Sequence, residues 1–172
     1  MSTAIEKVLT RRGIRQYKPD MVPDEMLKKI AEAGTYAPTG MGNQSPIIVV
    51  VKDKATRDKL SELNAKVMGR DIDPFYGAPV VIAVLADRSF KTYTYDGSLV
   101  MGNLLLAAHD LGLGSCWVHR AKEVFESPEG QELLKAWGIE GDYEGIGHCI
   151  VGYADGEKPE PAPRKENYIY FV

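Results

Sequence analysis

The sequence predicts a single domain that combines helices and strands, and three observations support this prediction. The chain has 172 residues, which suffice for one hydrophobic core. Hydrophobic residues make up 44% and charged residues 26%, proportions that are usual for a globular protein. Segments whose apolar residues recur every three or four positions alternate with short β-branched runs, as helices and strands do. We therefore expect one domain over residues 1–172, with residues 154–172 as an extended C-terminal arm.

Two helices are expected first. Residues 2–11 form the first, with Ser2 as its cap, and its apolar stripe consists of Ile5, Val8 and Leu9. The second covers residues 23–33. It begins with Pro23, which suits a first helical turn, and we expect Gly34 to end it.

Strands and helices alternate in the middle of the chain. Residues 47–51 and 79–86 are apolar runs rich in β-branched side chains, which predict buried strands. Residues 54–68 carry an apolar face and predict a helix between them. Residues 69–78 contain glycine and proline and predict turns. Residues 96–111 are apolar nearly all round, so they predict a central, buried helix.

Shorter elements are expected in the last third. Residues 112–118 predict a turn that leads into a short strand, and residues 122–137 predict a helical region broken at Pro128. Residues 146–153 predict another strand. Residues 167–172 are strand-like and strongly apolar. Since an exposed apolar end is unfavourable, we expect them to dock either on the chain's own sheet or on the edge of a partner's sheet.

Composition excludes several classes of function. The chain has 21 basic and 24 acidic side chains, whereas a nucleic-acid-binding protein needs a broad basic face. Its apolar runs are too short to span a bilayer, and no apolar leader is visible at the N-terminus. Two cysteines are too few for a disulfide framework, which favours a cytoplasmic location. The three histidines lack metal-binding spacing, so we expect no metal.

A basic segment stands out in this slightly acidic chain. Arg11, Arg12 and Arg15 fall within five residues, with Gly13 between them. One interpretation is a helix C-terminus, where basic side chains favour the helix dipole and glycine ends the helix. The other is a phosphate site, because guanidinium groups donate paired hydrogen bonds to phosphate oxygens.

The loop at residues 37–46 also has two interpretations. It is rich in glycine, hydroxyl and amide groups and has no hydrophobic period. It is either a solvated connector or a ligand-binding loop whose small residues allow close backbone approach.

Two common site types are disfavoured. A dinucleotide fold needs a glycine-rich turn directly after its first strand, and residues 52–56 contain no glycine. Cys116 and His119 are three residues apart in a predicted strand, which points them to opposite faces and argues against a thiol nucleophile.

Four motifs together resemble the nitroreductase family of FMN-dependent oxidoreductases, over about residues 8–165. They are RRGIRQY at 11–17, APTGMGNQSP at 37–46, GAPVVI at 77–82 and DGSLVMGNLLLAAHDLGLGSCWVHRAKE at 96–123. PRKE at 163–166 is similar to the family's C-terminal basic element. The resemblance implies an α+β fold with a mixed, mostly antiparallel sheet flanked by helices. It also implies an intertwined homodimer with FMN sites at the subunit interface.

The resemblance implies three groups of FMN-binding residues. The basic groups, which would bind the phosphate and the pyrimidine edge of the ring, are Arg11, Arg12, Arg15, Arg164 and Lys165, with Gly13 beside them. The loop that would come from the other subunit contributes Pro38, Thr39, Gly40, Met41 and Asn43. The strand end that would lie along the flavin, with a backbone N–H near N5, is Trp117, Val118, His119 and Arg120.

This chain departs from the family's pattern at two places. The family usually has serine where Gly13 stands, so a hydroxyl contact to the flavin is missing. The family also commonly has tryptophan after Gln-Pro, whereas this chain continues Gln44-Ser45-Pro46-Ile47 and lacks that aromatic group.

The implied reaction is ping-pong hydride transfer. NAD(P)H, a transient reductant, reduces the flavin at N5, and a small electron acceptor such as a nitroaromatic or a quinone then takes the electrons. Because the flavin performs the redox chemistry, we expect no catalytic side chain. His119 is either a proton donor or a hydrogen-bonding wall, and His109 and His148 are expected to be satisfied core groups.

Three alternatives remain at this stage. Relatives with the same fold carry out reductive dehalogenation or flavin fragmentation, but they typically have lids, and only residues 69–78 and 86–96 could form one here. A non-catalytic flavin carrier and a dimerisation module without flavin are the other two.

Overall fold

The structure, a computed structural model, describes residues 3–172. The described chain forms six α-helices, a short 3₁₀ helix at Gly40–Gly42 and four strands. In chain order the α-helices and strands are α1 (Ala4–Thr10), α2 (Asp24–Thr35), β1 (Pro46–Val51), α3 (Lys54–Met68), β2 (Val80–Asp87), α4 (Tyr93–Asp110), β3 (Gly114–Val118), α5 (Ala121–Glu126), α6 (Pro128–Ala136) and β4 (Tyr143–Gly152). The helical region broken near Pro128 is thereby confirmed as α5 and α6, and the fold is α+β as predicted.

The four strands form one sheet in the order β1-β2-β4-β3, and every neighbouring pair is antiparallel. β2 and β4 occupy the centre, where Ile82 lies opposite Cys149. The predicted antiparallel character is therefore confirmed. Parallel pairing in residues 3–172 is limited to an isolated bridge between Gly13 and Ser115.

Helices cover both faces of the sheet and create two apolar cores. On one face α2 and α4 pack through Ile30 and Leu104 against the sheet. On the other face α3 and α5 pack through Leu60 and Phe125. All four side chains are almost completely buried. Burial of one such side chain contributes about 1.5–3 kcal/mol, so these two layers provide most of the fold's stability.

Two local predictions were wrong because distant residues decide them. Strand β1 was expected to be buried, but it lies at the sheet edge, where four of its six residues are half-buried and Val50 is 36% exposed. Gly34 was expected to end the second helix, but α2 continues to Thr35. A Cβ at Gly34 would lie 2.7 Å from Ile48 and 2.8 Å from Leu104, so this glycine permits α2 to approach the sheet and α4 closely.

Helix α1 begins with a capping box. The Thr3 hydroxyl accepts from the Glu6 N–H at 3.2 Å, and the Glu6 carboxylate accepts from the Thr3 N–H at 2.7 Å. The expected cap, Ser2, lies outside the described residues. Within the chain α1 buries none of its residues. Its exposed apolar side chains are Ile5, Val8 and Leu9.

Helix α4 begins three residues earlier than predicted and is buried on one side only. Met101 and Leu104 are completely buried, as expected. Leu99, however, is 48% exposed, and a Cβ at Gly102 would meet no atom within 4 Å. Like the other helices of residues 3–172, α4 lacks the length and apolar content that crossing a bilayer requires.

The predicted strand at residues 167–172 is wrong for the single chain. This segment forms no strand, and its apolar side chains from Tyr168 to Val172 are each at least 66% exposed. A strand needs a neighbouring edge for its backbone hydrogen bonds. In the described chain this segment pairs with no strand, so it does not dock on its own sheet.

Candidate functional site

The arginine segment lies on extended backbone beside β3. Helix α1 ends at Thr10, and Arg11 follows it with φ −61° and ψ 138°. The Ile14 N–H donates to the Ser115 carbonyl at 3.0 Å. The helix therefore ends before the arginines. It is followed by extended backbone that contains them, and no glycine in the left-handed region ends it.

The C-terminal arm returns to this segment. The Lys18 N–H donates to the Tyr153 carbonyl and the Asp155 N–H donates to the Gln16 carbonyl, both at 2.9 Å. The two chain regions enclose a groove of about 640 Å³. Its lining consists of Val8, Leu9, Arg11, Arg12, Gly13, Arg15, Pro159, Glu160, Pro161, Ala162 and Arg164.

The groove is positively charged and its cations are poorly paired. Within residues 3–172, no salt bridge involves Arg11, Arg15 or Arg164. Arg12 donates to the carbonyls of Leu9 and Arg11 at 2.8 Å, and its Nε is buried without a partner in the described chain. Buried donors without acceptors are costly, so this groove fits an anion with several oxygens, such as a phosphate monoester.

Lys165 lies differently from the other predicted basic residues. Its Nζ stands 5.0 Å from the centre of the Tyr168 ring, in a cation–π contact, and it does not line the groove. In the single chain, the C-terminal basic pair thus contributes one guanidinium to the groove.

The small-residue loop is fixed to the first turn of α4. The Gly40 N–H donates to the Asp96 carboxylate at 3.0 Å, and a Cβ at Gly40 would lie 2.3 Å from the Thr92 hydroxyl oxygen. Between these anchors and β1 the loop projects outward. Met41 is 98% exposed in a left-handed conformation, φ 55°. The predicted site residues Pro38 and Asn43 are exposed as well, whereas Thr39 and Gly40 are half-buried.

This loop and the arginine groove lie at opposite ends of α4. Near the end of the helix, His109 Nε2 is 3.0 Å from the Thr10 hydroxyl, one residue before Arg11. From Asp96 to His109 an α-helix rises by about 20 Å. Within one chain, the loop and the arginines therefore cannot line the same groove.

The end of β3 offers an open backbone edge near the arginines. Ser115 directs its carbonyl to Ile14, and alternate residues of a strand direct their backbone groups to the same side. The N–H of Trp117 therefore faces this outer edge. The indole, 36% exposed, covers Gly147, where a Cβ would lie 2.6 Å from its Nε1. The side chain of Val118, the last residue of β3, is buried.

The residues after β3 depend on a side chain that the sequence did not indicate. His119 is exposed, and Arg120 adopts a left-handed conformation with φ 73°. The buried Asn64 on α3 donates to the His119 carbonyl at 2.8 Å and accepts from Arg120 Nε at 3.0 Å. No local signal identifies Asn64, because one asparagine in an amphipathic helix is usually a surface residue.

Burial keeps the nearby thiol and phenol groups protonated. Burial raises the pKa of Cys116, although the charges of Arg15 and Arg11 oppose this. Burial likewise raises the pKa of Tyr17, whose hydroxyl donates to the Ile14 carbonyl at 2.7 Å. These groups support the segment and do not provide a nucleophile at neutral pH, in agreement with the weak case for a cysteine–histidine site.

The two other histidines differ from each other. Burial, reinforced by Lys158, Lys7 and Arg11, lowers the pKa of His109. His148 is completely buried, as predicted, but it was wrong to expect it to be satisfied, because its Nε2 has no partner in the described chain.

Comparison with known sequences connects this geometry to a family. A model described as the Nitroreductase family matches residues 8–153. A Methanothermobacter thermautotrophicus protein, whose proposed names are NADH dehydrogenase and NAD(P)H nitroreductase, is 34% identical over 118 residues. An NADH dehydrogenase of Thermus thermophilus is 40% identical over 146 residues. The aligned parts are 66% and 83% of this chain, and they span 59% and 64% of these relatives.

Solved structures are similar over the whole chain. A nitroreductase from Bacteroides fragilis with bound FMN superposes with a TM-score of 0.88 at 25% identity. A nitroreductase from Desulfitobacterium hafniense with bound FMN superposes with a TM-score of 0.86 at 28% identity. In both comparisons the alignment covers all of this chain and all of the other.

Proposed function

Because the chain belongs to the nitroreductase family, we propose that it is an FMN-dependent oxidoreductase that transfers electrons from NAD(P)H to electron-poor acceptors such as nitroaromatics or quinones. The observation that carries this proposal is the groove between α1 and the C-terminal arm. Four arginines line it, and none of them forms a salt bridge within residues 3–172.

Each part of the groove has a distinct role in this proposal. Arg11, Arg12 and Arg164 would bind the phosphate of FMN, a dianion that can accept from the unpartnered Arg12 Nε and from the guanidinium groups on either side. Arg164 already donates from Nε and Nη2 to the Ala162 carbonyl, which holds its guanidinium in place. Arg15, which is exposed on the extended segment, stabilises negative charge at the N1 edge of the ring. The edge of β3 at Trp117 supplies a backbone N–H that faces away from β4.

The protein's contribution is binding and orientation. FMN, when bound, supplies the hydride-transfer chemistry. The side chains beside the groove are poor acids or bases, since the Cys116 thiol has a raised pKa and Tyr17 donates inward to Ile14. We therefore assign no catalytic side chain. His119 then lines the acceptor site as a hydrogen-bonding group and does not donate a proton.

We further propose that the active form is a homodimer. The loop at residues 38–43 and the arginine groove lie about 20 Å apart along α4, so a second subunit has to bring its own loop to the groove. Apolar surface for this contact is present on α1, on α4 at Leu99 and in the tail. Gly102 also leaves α4 open to close approach by another helix.

An absorbance spectrum of the purified protein tests the proposal. We expect flavin bands that bleach under argon when NADH or NADPH is added and return when a quinone is added. Bands that neither nucleotide bleaches would identify a flavin carrier instead. A colourless protein that ignores added FMN would identify a dimerisation module and overturn the proposal.

A further inference from the structure

A buried polar cluster connects helix α3 to the end of β3. Asn64, with no exposed surface, donates from Nδ2 to the His119 carbonyl at 2.8 Å. Its Oδ1 accepts from Arg120 Nε at 3.0 Å. One buried amide therefore holds the backbone of one residue and the side chain of the next.

The local sequence does not favour the conformation that this amide holds. Arg120 has φ 73°, and a residue with a Cβ pays about 1–2 kcal/mol in the left-handed region. Arg120 is also the N-cap of α5 without a capping hydrogen bond, where a cation opposes the helix dipole. Tertiary contacts must compensate for both effects. The two hydrogen bonds of Asn64 are contacts of this kind, made to His119 and Arg120 themselves.

His148 contacts the buried Asn64 amide. Its Nδ1 lies 3.4 Å from Asn64 Nδ2, and its ring packs against Phe75 and Phe125 with centroid distances of 5.2 and 5.8 Å. Burial, with the charge of Arg120, lowers the pKa of His148 to about 3, so the imidazole is neutral. The orientation of the Asn64 amide follows from its two other partners, because the His119 carbonyl accepts from Nδ2 and Arg120 Nε donates to Oδ1.

We propose that Asn64 is a positioning residue for the flavin: by fixing the His119 carbonyl and Arg120, it sets where the outer edge of β3 meets the FMN ring. This inference rests on the proposed function, because it takes the ring to lie along residues 117–119. Asn64 acts through this backbone and is not among the residues that line the arginine groove.

The variant Asn64→Leu keeps the branched shape of the side chain and removes both hydrogen bonds, while the arginine groove is untouched. A backbone N–H at this edge would donate to the lone pair of N5 in oxidised FMN, and it could not do so in reduced FMN, whose N5 carries a hydrogen. Displacing the strand end should therefore weaken binding of oxidised FMN at least threefold more than binding of reduced FMN. General destabilisation would weaken both alike and leave the ratio unchanged.

Two further variants complete the test. Ser61→Ala removes another buried hydrogen bond of α3, to Asp73, and should leave the ratio of the two dissociation constants at the wild-type value. Arg120→Gly removes one Asn64 partner but suits φ 73°, so it should fold and change the ratio in the same direction by less.

The ratio is measured by titrating apoprotein with FMN aerobically and with reduced FMN under argon. A wild-type ratio in both Asn64→Leu and Arg120→Gly would overturn the inference while the proposed function stands. Should Asn64→Leu fail to fold, Arg120→Gly alone decides. Failure of the wild-type protein to bind FMN would instead refute the proposed function.

Discussion

The Ile14 N–H donates to the Ser115 carbonyl at 3.0 Å, and this bond aligns the arginine segment with β3. The isolated bridge between Gly13 and Ser115 extends the contact by one residue. Because β3 continues to Trp117, the cations and the open backbone edge lie on one continuous surface. A ligand with an anionic end and a flat ring can contact both.

Arg11→Ala should weaken FMN binding at least tenfold. A charge-assisted hydrogen bond contributes about 1.5–3 kcal/mol, which corresponds to one to two decades in affinity. Fluorescence titration of apoprotein with FMN measures the effect. Lys135→Ala, which removes a charge from the exposed end of α6, is the control and should bind FMN as the wild type does. Equal affinity in both variants would contradict the phosphate role.

Arg15→Met should lower the two-electron reduction potential of bound FMN. The exposed guanidinium would stabilise the negative charge of the reduced ring, and methionine keeps an unbranched stem of similar flexibility without this charge. Arg15→Lys, which retains the charge, should keep most of the wild-type potential. The potential is read from dye equilibration under argon, and an unaltered value for Arg15→Met would place Arg15 away from the ring.

Gly13→Ser should strengthen FMN binding about threefold to tenfold. Gly13 is not in the left-handed region, and its added Cβ would lie 3.5 Å from Cys116 Sγ, an ordinary contact distance. The new hydroxyl can donate to the flavin at about 0.5–1.5 kcal/mol. Gly13→Ala adds the Cβ alone and should bind FMN like the wild type. Identical dissociation constants for the serine and alanine variants would argue against a hydroxyl contact.

Two truncations separate the cations of the arm from its tail. A chain that ends at Glu166 keeps Arg164 and loses the exposed apolar segment, so its dimer should dissociate more readily. A chain that ends at Pro161 also loses Arg164 from the groove and should bind FMN even more weakly. Sedimentation and FMN titration measure the two effects, and a stable monomer that retains FMN would exclude a site between subunits.

Stability should decline below pH 6.5 because of His148. Its pKa falls from 6.5 to about 3 on folding, so the unfolded chain takes up a proton that the folded chain does not. The part of the unfolding free energy that depends on a neutral His148 is fully present above pH 6.5. About 1.4 kcal/mol of it is lost per pH unit as the pH falls toward 3.

Urea unfolding at pH 7 and pH 5, at constant protein concentration, tests this effect. Between these pH values His148→Leu should lose about 2 kcal/mol less stability than the wild type. A pH response in His148→Leu equal to that of the wild type would contradict the assignment.

Elements with local signals were predictable. Helix α3 spans Lys54–Met68, the limits that its apolar face indicated. The reason is local chemistry: the Asp53 carboxylate accepts from the Thr56 N–H, and Gly69 ends the helix in the left-handed region.

Features that depend on distant residues were not predictable. The exposure of β1 follows from its place at the sheet edge, and Gly34 owes its role to Ile48 and Leu104. In the site, the arginine motif was visible in the sequence, whereas Asn64 acts across 55 residues on His119 and leaves no local pattern. Residues 167–172 have the composition of a strand, but they find no partner strand in the described chain, and the sequence alone does not reveal this.

The pairing of residues 16–18 with residues 153–155 also determines when the groove can form during synthesis. Its walls are about 150 residues apart in the chain. Until residues 153–164 have been synthesised, Arg11 and Arg15 have no opposite wall. The groove therefore cannot form from the N-terminal half of the sequence alone, and any ligand that it binds has to wait for the later wall.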